Sequence, residues 1–469
     1  MMTGSRDFSS KAAKTAGALL VGVSVLAGAS SAQAETISGA LVRAYLGNPD
    51  INQQRASVRA SDENIARAKS GYRPRVTATA DASRQVSDIE VPQLGSRTVA
   101  SNPRGYGISL TQNIWNGNRT ENGVRQAESG VLAARESMRA TEQAILLNGA
   151  TAYMNVLRDT AILNLRNNNI TVLEEQLRQT SNRFQVGEVT RTDVAQAEAS
   201  LAQARSDYYA AQSLLQASVA NYRQVIGVEP KRLEPARPIE ALLPKSLDAA
   251  VRQSYLEHPA IQAALHNVDA QALNVKLVEG ELYPTVGVTG SLTKRFDPSG
   301  YATGTQVTTA SIIGQISVPI YEGGEVYARA RQAKEILGQA RLQADLQRDA
   351  VRALVVTTWG QLETAKAMIR SGQAAVTAAE IALNGVREEA KVGQRTTLDV
   401  LNAQQALLNA RVLLVTSQRD RVVASYAVMS AIGRLSPTEL KLSVARYDPT
   451  VHFEQVKDKV IGLQTPDGR

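Results

Sequence analysis

The sequence has no cysteine and few aromatic residues, and both shortages limit what the chain can be. Without cysteine it can form neither a disulfide nor a thiolate metal site. Four Phe and two Trp in 469 residues are too few for a single large aromatic core. The three histidines, His258, His266 and His452, lack a metal-ligand spacing such as His-Glu-x-x-His. We therefore expect neither an enzyme nor a cofactor.

Residues 1–34 have the pattern of a cleaved signal peptide. Basic residues precede an apolar run at about 16–29, and Ala32 and Ala34 frame a small-x-small cleavage motif. The apolar run is shorter than the roughly 20 residues that span a bilayer, which disfavours an N-terminal membrane anchor. We predict cleavage before Glu35 and, because no cysteine follows the site, no lipid-anchored N-terminus.

Positive charge is in slight excess but is not concentrated anywhere. The formal net charge is +8, and residues 1–34 contribute three basic residues and one acidic residue, so the mature chain carries +6. This charge is spread along the predicted helices. A nucleic-acid footprint would need a basic patch with interleaved aromatic residues, so we expect no nucleic-acid partner.

Proline is missing from two long stretches, residues 104–229 and 320–436. Proline breaks helices, so each stretch can form uninterrupted helix, and the one predicted over about 118–186 would be roughly 100 Å long. Apolar residues recur every seven positions there, which predicts coiled-coil packing with a left-handed supercoil. The two ladders are Val156, Leu163, Ile170, Leu177 and Phe184, and Leu362, Ile369, Val376, Leu383 and Ala390.

Similar segments occur twice in the chain. Val186-Gly187 and Val392-Gly393 lie 206 positions apart, and each is followed by Thr and Asp, which cap helices. Asn48-Pro49 and His258-Pro259 repeat at an offset of 210. We predict a twofold internal repeat of helical hairpins. Its divisions are a first repeat at 35–229 with a helical hairpin at about 118–227, a linker at 230–245, a second repeat at 246–436 with a helical hairpin at about 324–433, and a polar tail with little regular structure at 437–469.

Each repeat also contains a predicted β-hairpin. Apolar and polar residues alternate there with the strand period of two, as in Val76, Thr77 and Ala78. A sheet in a membrane must close to pair its backbone groups, and bacterial barrels need at least about eight strands. Four strands per chain therefore require several copies, and three copies would supply twelve. The β-hairpins are predicted at about 74–115 and 284–321, with long polar loops at 86–104 and 296–307.

As a set, these features resemble the TolC family of outer-membrane efflux and secretion channels over essentially the whole mature chain. Tyr72-Arg73-Pro74 and Tyr283-Pro284 open the strand pairs, Asn116-Gly117 and Glu322-Gly323-Gly324 lead into the long helices, and Val-Gly turns end both hairpins. The resemblance implies an α+β membrane protein that forms a homotrimer. Its twelve-stranded barrel would lie in the outer-membrane lipid of a Gram-negative bacterium, and a tube of twelve helices would continue it into the periplasm. There it would meet a periplasmic adaptor and an inner-membrane transporter of the RND or ABC type.

The resemblance also implies a gate at the hairpin ends. Asp193 matches a gate aspartate, Arg395 matches the arginine that bonds it, and Asp399 matches one member of an acidic ring. The sequence departs from the family at Ala390, which replaces a gate tyrosine, and at Asn402, which replaces a second ring aspartate. Position alone leaves a simpler alternative, compatible with the first, in which Asp193 and Asp399 are helix caps.

Two further sets of residues are candidates for contacts outside the chain. Trp115 and Tyr321 lie at matching strand ends, where they suit an aromatic girdle at the membrane surface or a plain core contact. The predicted adaptor contacts are the hairpin turns, Val186, Gly187, Glu188, Val392, Gly393 and Gln394.

The sequence thus favours a passive exit duct of a tripartite efflux pump or type I secretion system. It would conduct drugs, toxic compounds or secreted proteins that an energised transporter delivers. Two alternatives stay open at this point. A periplasmic adaptor would have one helical hairpin with flanking lipoyl-like and barrel domains, and a structural coiled-coil protein would need no alternating strands.

Overall fold

The two halves of the chain fold into matching sets of helices. The computed structural model describes residues 34–92, 95–298, 301–302 and 304–468, so the predicted signal peptide lies outside it except for Ala34. The helices of the first half are α1 (Ile37–Gly47), α2 (Pro49–Lys69), α3 (Arg119–Gln185) and α4 (Arg191–Ile226). Those of the second are α5 (Leu247–Glu257), α6 (Pro259–Glu279), α7 (Glu325–Lys391) and α8 (Thr397–Ala431).

The helices α3 and α7 set the length of the molecule, since each has 67 residues. Towards the sheet, α2 packs on α3, and α6 lies between α3 and α7. Towards the hairpin ends, α4 packs on α3, and α8 takes the place of α6 between α3 and α7. The result is a wall four helices wide at both levels, with α3 and α7 continuous through it. None of the helices in the described residues is both long and apolar enough to cross a membrane.

The main core lies midway along the wall, where helices α1, α4, α5 and α8 all end. Tyr45, Tyr153 and Tyr222 are fully buried there. The Tyr153 hydroxyl lies 2.7 Å from the backbone carbonyl oxygens of both Glu35 and Glu234, so it ties the start of the fold to the segment between the repeats. Apolar residues of the predicted linker pack on the same core, which makes this segment a structural belt.

The strands form one four-stranded sheet and one separate ribbon. Their bounds are β1 (Arg75–Ala82), β2 (Gln85–Val91), β3 (Gly95–Ser101), β4 (Arg104–Trp115), β5 (Thr285–Phe296) and β6 (Gln306–Ser317). The sheet is antiparallel in the order β1-β4-β5-β6, so the pairing of β4 with β5 joins the two repeats.

The sheet register separates apolar from polar side chains. Val76, Leu110, Gly290 and Ile312 align across the four strands on one face. The next row along, on the opposite face, is Thr77, Ser109, Ser291 and Ser311. Hydroxyl groups bond across this row, at 2.7 Å between Thr77 and Ser109 and 2.8 Å between Ser291 and Ser311. One face of the sheet is therefore apolar and the other hydrophilic.

The predicted polar loop at 86–104 is wrong, because most of it is an antiparallel ribbon of β2 and β3. The ribbon is exposed on both sides, so it has no buried face to impose an apolar alternation. Val86, Ile89 and Val99 are interspersed with polar residues without the strict period that marks β1 and β4. The corresponding segment of the second repeat is shorter, and its described residues contain no strand between β5 and β6.

As expected, the described residues after 437 contain little regular structure. The tail is polar, but it contains α9 (Pro449–Val456), which begins with an Asp448 side-chain cap and proline at the first helical position. We call residues 445–468 the C-terminal strap, because this segment runs along α2.

Three charged residues of α2 at seven-residue intervals hold the strap. The Arg55 guanidinium stacks between the rings of Tyr45 and Tyr447, at 4.7 and 5.1 Å from their centroids. Asp62 is fully buried and lies 3.0 Å from His452 Nδ1, and burial raises the pKa of this carboxyl. Lys69 pairs with Asp458 at 2.7 Å. The side chains lie on one side of α2 because seven residues are close to two helical turns.

The helices α2 and α6 start with matched caps made by different side chains. Asn48 Oδ1 accepts a hydrogen bond from the Asp50 N–H at 2.9 Å, and His258 Nδ1 accepts one from the Ala260 N–H at 3.2 Å. Nδ1 can accept only while the imidazole is neutral. Burial, with a smaller contribution from Arg139, lowers the pKa of His258 to about 4, so the imidazole is neutral at neutral pH.

This cap predicts a pH dependence of stability. Between its ordinary pKa of 6.5 and about 4, His258 takes up a proton in the unfolded chain but not in the folded one. The folded state therefore loses stability as the pH falls through this window. We expect His258→Asn to keep the cap and flatten the dependence of the thermal unfolding midpoint on pH, and His258→Ala to cost about 1 kcal/mol at neutral pH. His266→Asn is the control, and an unchanged pH slope in His258→Asn would contradict the assignment.

Candidate functional site at the hairpin ends

Each long helix ends in the same left-handed glycine turn. Gly187 has φ +80° and Gly393 has φ +77°. The Glu188 N–H bonds to the Arg183 carbonyl at 2.9 Å, and the Gln394 N–H bonds to the Glu389 carbonyl at 3.0 Å. These six-to-one bonds, with the glycine N–H bonded one turn inside, are Schellman motifs that satisfy the last carbonyls of the helix. A residue with a Cβ is strained at either glycine.

The returning helices α4 and α8 begin with capping boxes. The Asp193 N–H donates to Thr190 Oγ1 at 3.3 Å, while the Asp193 carboxylate accepts from the Thr190 N–H at 2.9 Å. The same pair of bonds joins Thr396 and Asp399, at 3.2 and 3.0 Å. The interpretation of both aspartates as helix caps is thus confirmed. Each cap satisfies helix donors that would otherwise lack a partner.

The caps also fix the charge of both carboxylates. Hydrogen bonds from the Thr190 hydroxyl and N–H lower the pKa of Asp193, and the Thr397 side chain from the second hairpin adds to this. Hydrogen bonds from the Thr396 N–H and hydroxyl lower the pKa of Asp399. Both residues are therefore anions at neutral pH, at the end of the wall where the two hairpins meet.

Arg395 and Asp193 do not pair within the chain. The Arg395 guanidinium donates to Glu389 Oε2 at 2.8 Å, across its own turn. Asp193 instead lies near Thr397 of the second hairpin. The partner Glu389 was missed from the sequence, although the Schellman bond to its carbonyl brings the two residues together. The gate roles assigned to Arg395 and Asp193 stay predictions.

The two departures from the family pattern lie on different surfaces. Ala390 is half-buried and lines a cavity of about 690 Å³ between α3 and α7, together with Arg183 and Arg387. Asn402 is exposed on the first turns of α8. Close to it, Leu401 is buried against Leu173 of α3 and the neighbouring face of α4, so a small apolar cluster holds the two hairpins in register.

The remaining predicted contact residues are exposed. The turn residues Val186, Gly187, Glu188, Val392, Gly393 and Gln394 all face solvent at the end of the wall. At the opposite end, Trp115 and Tyr321 are also exposed, so neither is a core residue of the described chain. The Trp115 ring contacts Tyr283 edge-on, with centroids 6.3 Å apart.

Comparison with known proteins also finds a division of the chain into two similar segments. The family model described as "Outer membrane efflux protein" matches residues 40–228 and 250–434, one segment in each repeat. The chain belongs to the outer membrane efflux protein family. Membership places it in the outer membrane, among channel proteins and not among enzymes.

Relatives from several bacteria are similar to this chain over nearly its full length. The chain is 44% identical to the outer membrane efflux protein BepC of Brucella suis over 97% of both chains. It is 26% identical to the outer membrane protein TolC of Escherichia coli, over 90% of this chain and 87% of TolC. The crystal structure of the Campylobacter jejuni CmeC outer membrane channel has the same fold, with a TM-score of 0.77 at 19% identity over 90% of this chain and 89% of CmeC.

Family membership decides between the interpretations left open by the sequence. An adaptor with a single helical hairpin is excluded, because the chain has two hairpins and a four-stranded sheet that joins them. A structural coiled-coil protein without strands is excluded for the same reason. The hairpin ends are thus those of an outer membrane efflux protein.

The capping boxes predict local stability at the hairpin ends. Thr190→Ala and Thr396→Ala each remove one cap hydroxyl, which is worth about 1 kcal/mol to the helix. We expect faster hydrogen exchange in the first turn of α4 or α8, measured by mass spectrometry on the solubilised protein. Thr377→Ala is the matched control, because its hydroxyl bonds back to Gln373 within α7 and caps nothing. Exchange no faster than in this control would show that the boxes do not hold the turns.

Proposed function

We propose that three copies of the chain form an exit duct, in which a twelve-stranded barrel in the outer membrane continues as a tube of twelve periplasmic helices. The sheet carries this proposal. It has one apolar and one hydrophilic face, and the outer edges of β1 and β6 have no partner strand within the described residues. Each backbone N–H or C=O group without a hydrogen-bond partner is energetically costly in lipid. We therefore expect β6 of one copy to pair with β1 of the next.

The helical wall supports the same assembly. Its two outer helices towards the hairpin ends are α4 and α7. Both expose large apolar side chains, Tyr209 and Leu214 on α4 and Met368 and Ile381 on α7. Apolar stripes on both edges of a helical wall are stabilised when neighbouring copies cover them. A ring of three walls would bury all six edges.

The duct would act passively. Substrates would be delivered by an inner-membrane transporter of the RND or ABC type through a periplasmic adaptor that docks on the hairpin turns. Drugs, toxic compounds and secreted proteins are the candidate cargo, and the names of BepC and of its family favour efflux. The decisive experiment combines the oligomeric mass of the mature protein in detergent with single-channel recording in a planar bilayer. A trimer with small conductance is expected, and a monomer without current would refute the proposal.

The gate would be formed between copies. Arg395 is exposed, and among the described residues it bonds across its own turn to Glu389, so its guanidinium can turn to a carboxylate of an adjacent hairpin, with Asp193 as the assigned partner. Three such pairs would hold the closed state, with Asp399 as the remaining ring carboxylate and Asn402 in place of a second. An adaptor that binds the open state more tightly would shift the equilibrium towards it.

Removing the gate pair predicts a more open channel. We expect the double variant Asp193→Asn, Arg395→Gln to raise single-channel conductance severalfold, because the closed arrangement loses its cross-copy bonds while Asn keeps the helix cap. The matched control is Asp345→Asn, Arg348→Gln, which removes an exposed ion pair of 3.1 Å on α7. Conductance and dye permeability that stay equal to those of the control would contradict the gate assignment.

The turns predict where the adaptor docks. Replacing both Gly187 and Gly393 by Val would force a side chain into the left-handed conformation and displace the exposed turn residues. Loss of adaptor capture in a pull-down is expected, with channel conductance retained. Gly360→Val is the control, since this exposed glycine lies inside α7 and a Cβ there meets no atom within 4 Å. Unchanged capture by the double variant would refute docking at the turns.

A further inference from the structure

The C-terminal strap ends in a small loop whose apolar residues face away from the protein. In residues 460–463, which we call the strap loop, Val460 is 67% exposed, Ile461 is 88% exposed and Leu463 is fully exposed. Only four residues earlier, Val456 is completely buried against the wall. The same strap therefore buries one apolar residue and leaves three uncovered.

Specific bonds hold this loop in place. Arg73 donates to the backbone carbonyls of Lys459 and Asp458, at 3.2 and 3.3 Å, and Lys69 pairs with Asp458 at 2.7 Å. The Lys459 ammonium donates to the Gln464 carbonyl and closes the neck of the loop. Within it, Gly462 has φ +120°, a conformation that glycine adopts readily. The loop is thus a formed structure and not a frayed end.

The bonds from Arg73 place the loop at the base of the sheet. Arg73 lies just before β1, and the preceding residue, Tyr72, accepts a hydrogen bond at its carbonyl from Gln112 of β4. Exposed aromatic rings lie at this level, namely Tyr72, Tyr283 and Trp115. Tyrosine and tryptophan collect where a protein passes through the membrane surface. The strap loop therefore lies beside the boundary between the sheet and the helices.

We propose that the strap loop inserts into the headgroup and upper acyl region of the membrane leaflet that faces the helices. The inference rests on the proposed function, because it requires the sheet to be embedded in lipid. Three uncovered apolar side chains on a closed loop suit the interface of a bilayer. Lys457 and Lys459 precede them, but Lys457 pairs with Glu454 and Lys459 holds the neck of the loop, so the apolar side chains carry the contact with lipid. Phospholipid is thus the partner that this surface fits, and the strap would fasten α2 to the membrane beside β1.

The lack of native cysteine allows a direct test with single labels. Ile461→Cys and the control Val451→Cys, at a position 56% exposed on α9, would carry a polarity-sensitive fluorophore. The full mature protein would be reconstituted in nanodiscs of phosphatidylethanolamine and phosphatidylglycerol. We expect a blue-shifted emission at position 461, quenching by spin-labelled lipid and loss of quenching by aqueous iodide. The label at position 451 should show none of these.

Two results at position 461 would overturn the inference. Iodide quenching equal to that at position 451 would show a loop in water. Protection from both iodide and lipid quenchers would show that a second copy of the chain covers the loop. Recording the same labelled proteins in planar bilayers separates this inference from the proposed function. Normal conductance with a water-exposed loop refutes the lipid contact alone, whereas failure of the unlabelled protein to form any channel refutes the duct and this inference with it.

Discussion

Each of the two 67-residue helices needs an apolar partner along its whole length. The other helices provide these partners. Long helices derive most of their stability from packing of one face and not from intrinsic propensity. No other described helix is as long, so α3 is covered in stages, by α2 near the sheet and by α4 near the hairpin end. The partners change at midlength, and the main core with its buried tyrosines lies there.

The internal repeat shows which parts are general to this architecture and which belong to one half. Helix lengths match between the halves, and the turn geometry at Gly187 returns at Gly393. Three features lack a counterpart, namely the ribbon of β2 and β3, the belt between the repeats and the C-terminal strap. They lie away from the hairpin turns, which keep the same glycine geometry in both halves. Features found in only one half of the chain are therefore concentrated around the sheet and at midlength.

Local signals in the sequence were enough to predict the helices, the two turns and the alternating strands. Proline gaps, heptad spacing and the Thr and Asp after each turn act within a few residues, so one chain segment contains the whole cause. The ribbon of β2 and β3 was not predicted because both its faces are exposed to solvent, so its sequence lacks an apolar alternation. The strap was not predicted because its contacts, such as His452 with Asp62, join residues far apart in sequence. The pairing of Arg395 with Glu389 depends on the rotation of the turn, which spacing alone does not determine.

The caps constrain how the proposed gate at the hairpin ends would work. Asp193 and Asp399 each satisfy backbone donors of a helix start, and these bonds keep both carboxylates ionised. Opening by local melting of the turns would break the caps and the Schellman bonds together. Opening by movement of an entire hairpin would break only contacts between hairpins, such as those of Leu401 and the side-chain contact of Asp193 with Thr397. The second route conserves more bonds, so the hairpin and not its turn is the moving unit that this geometry favours.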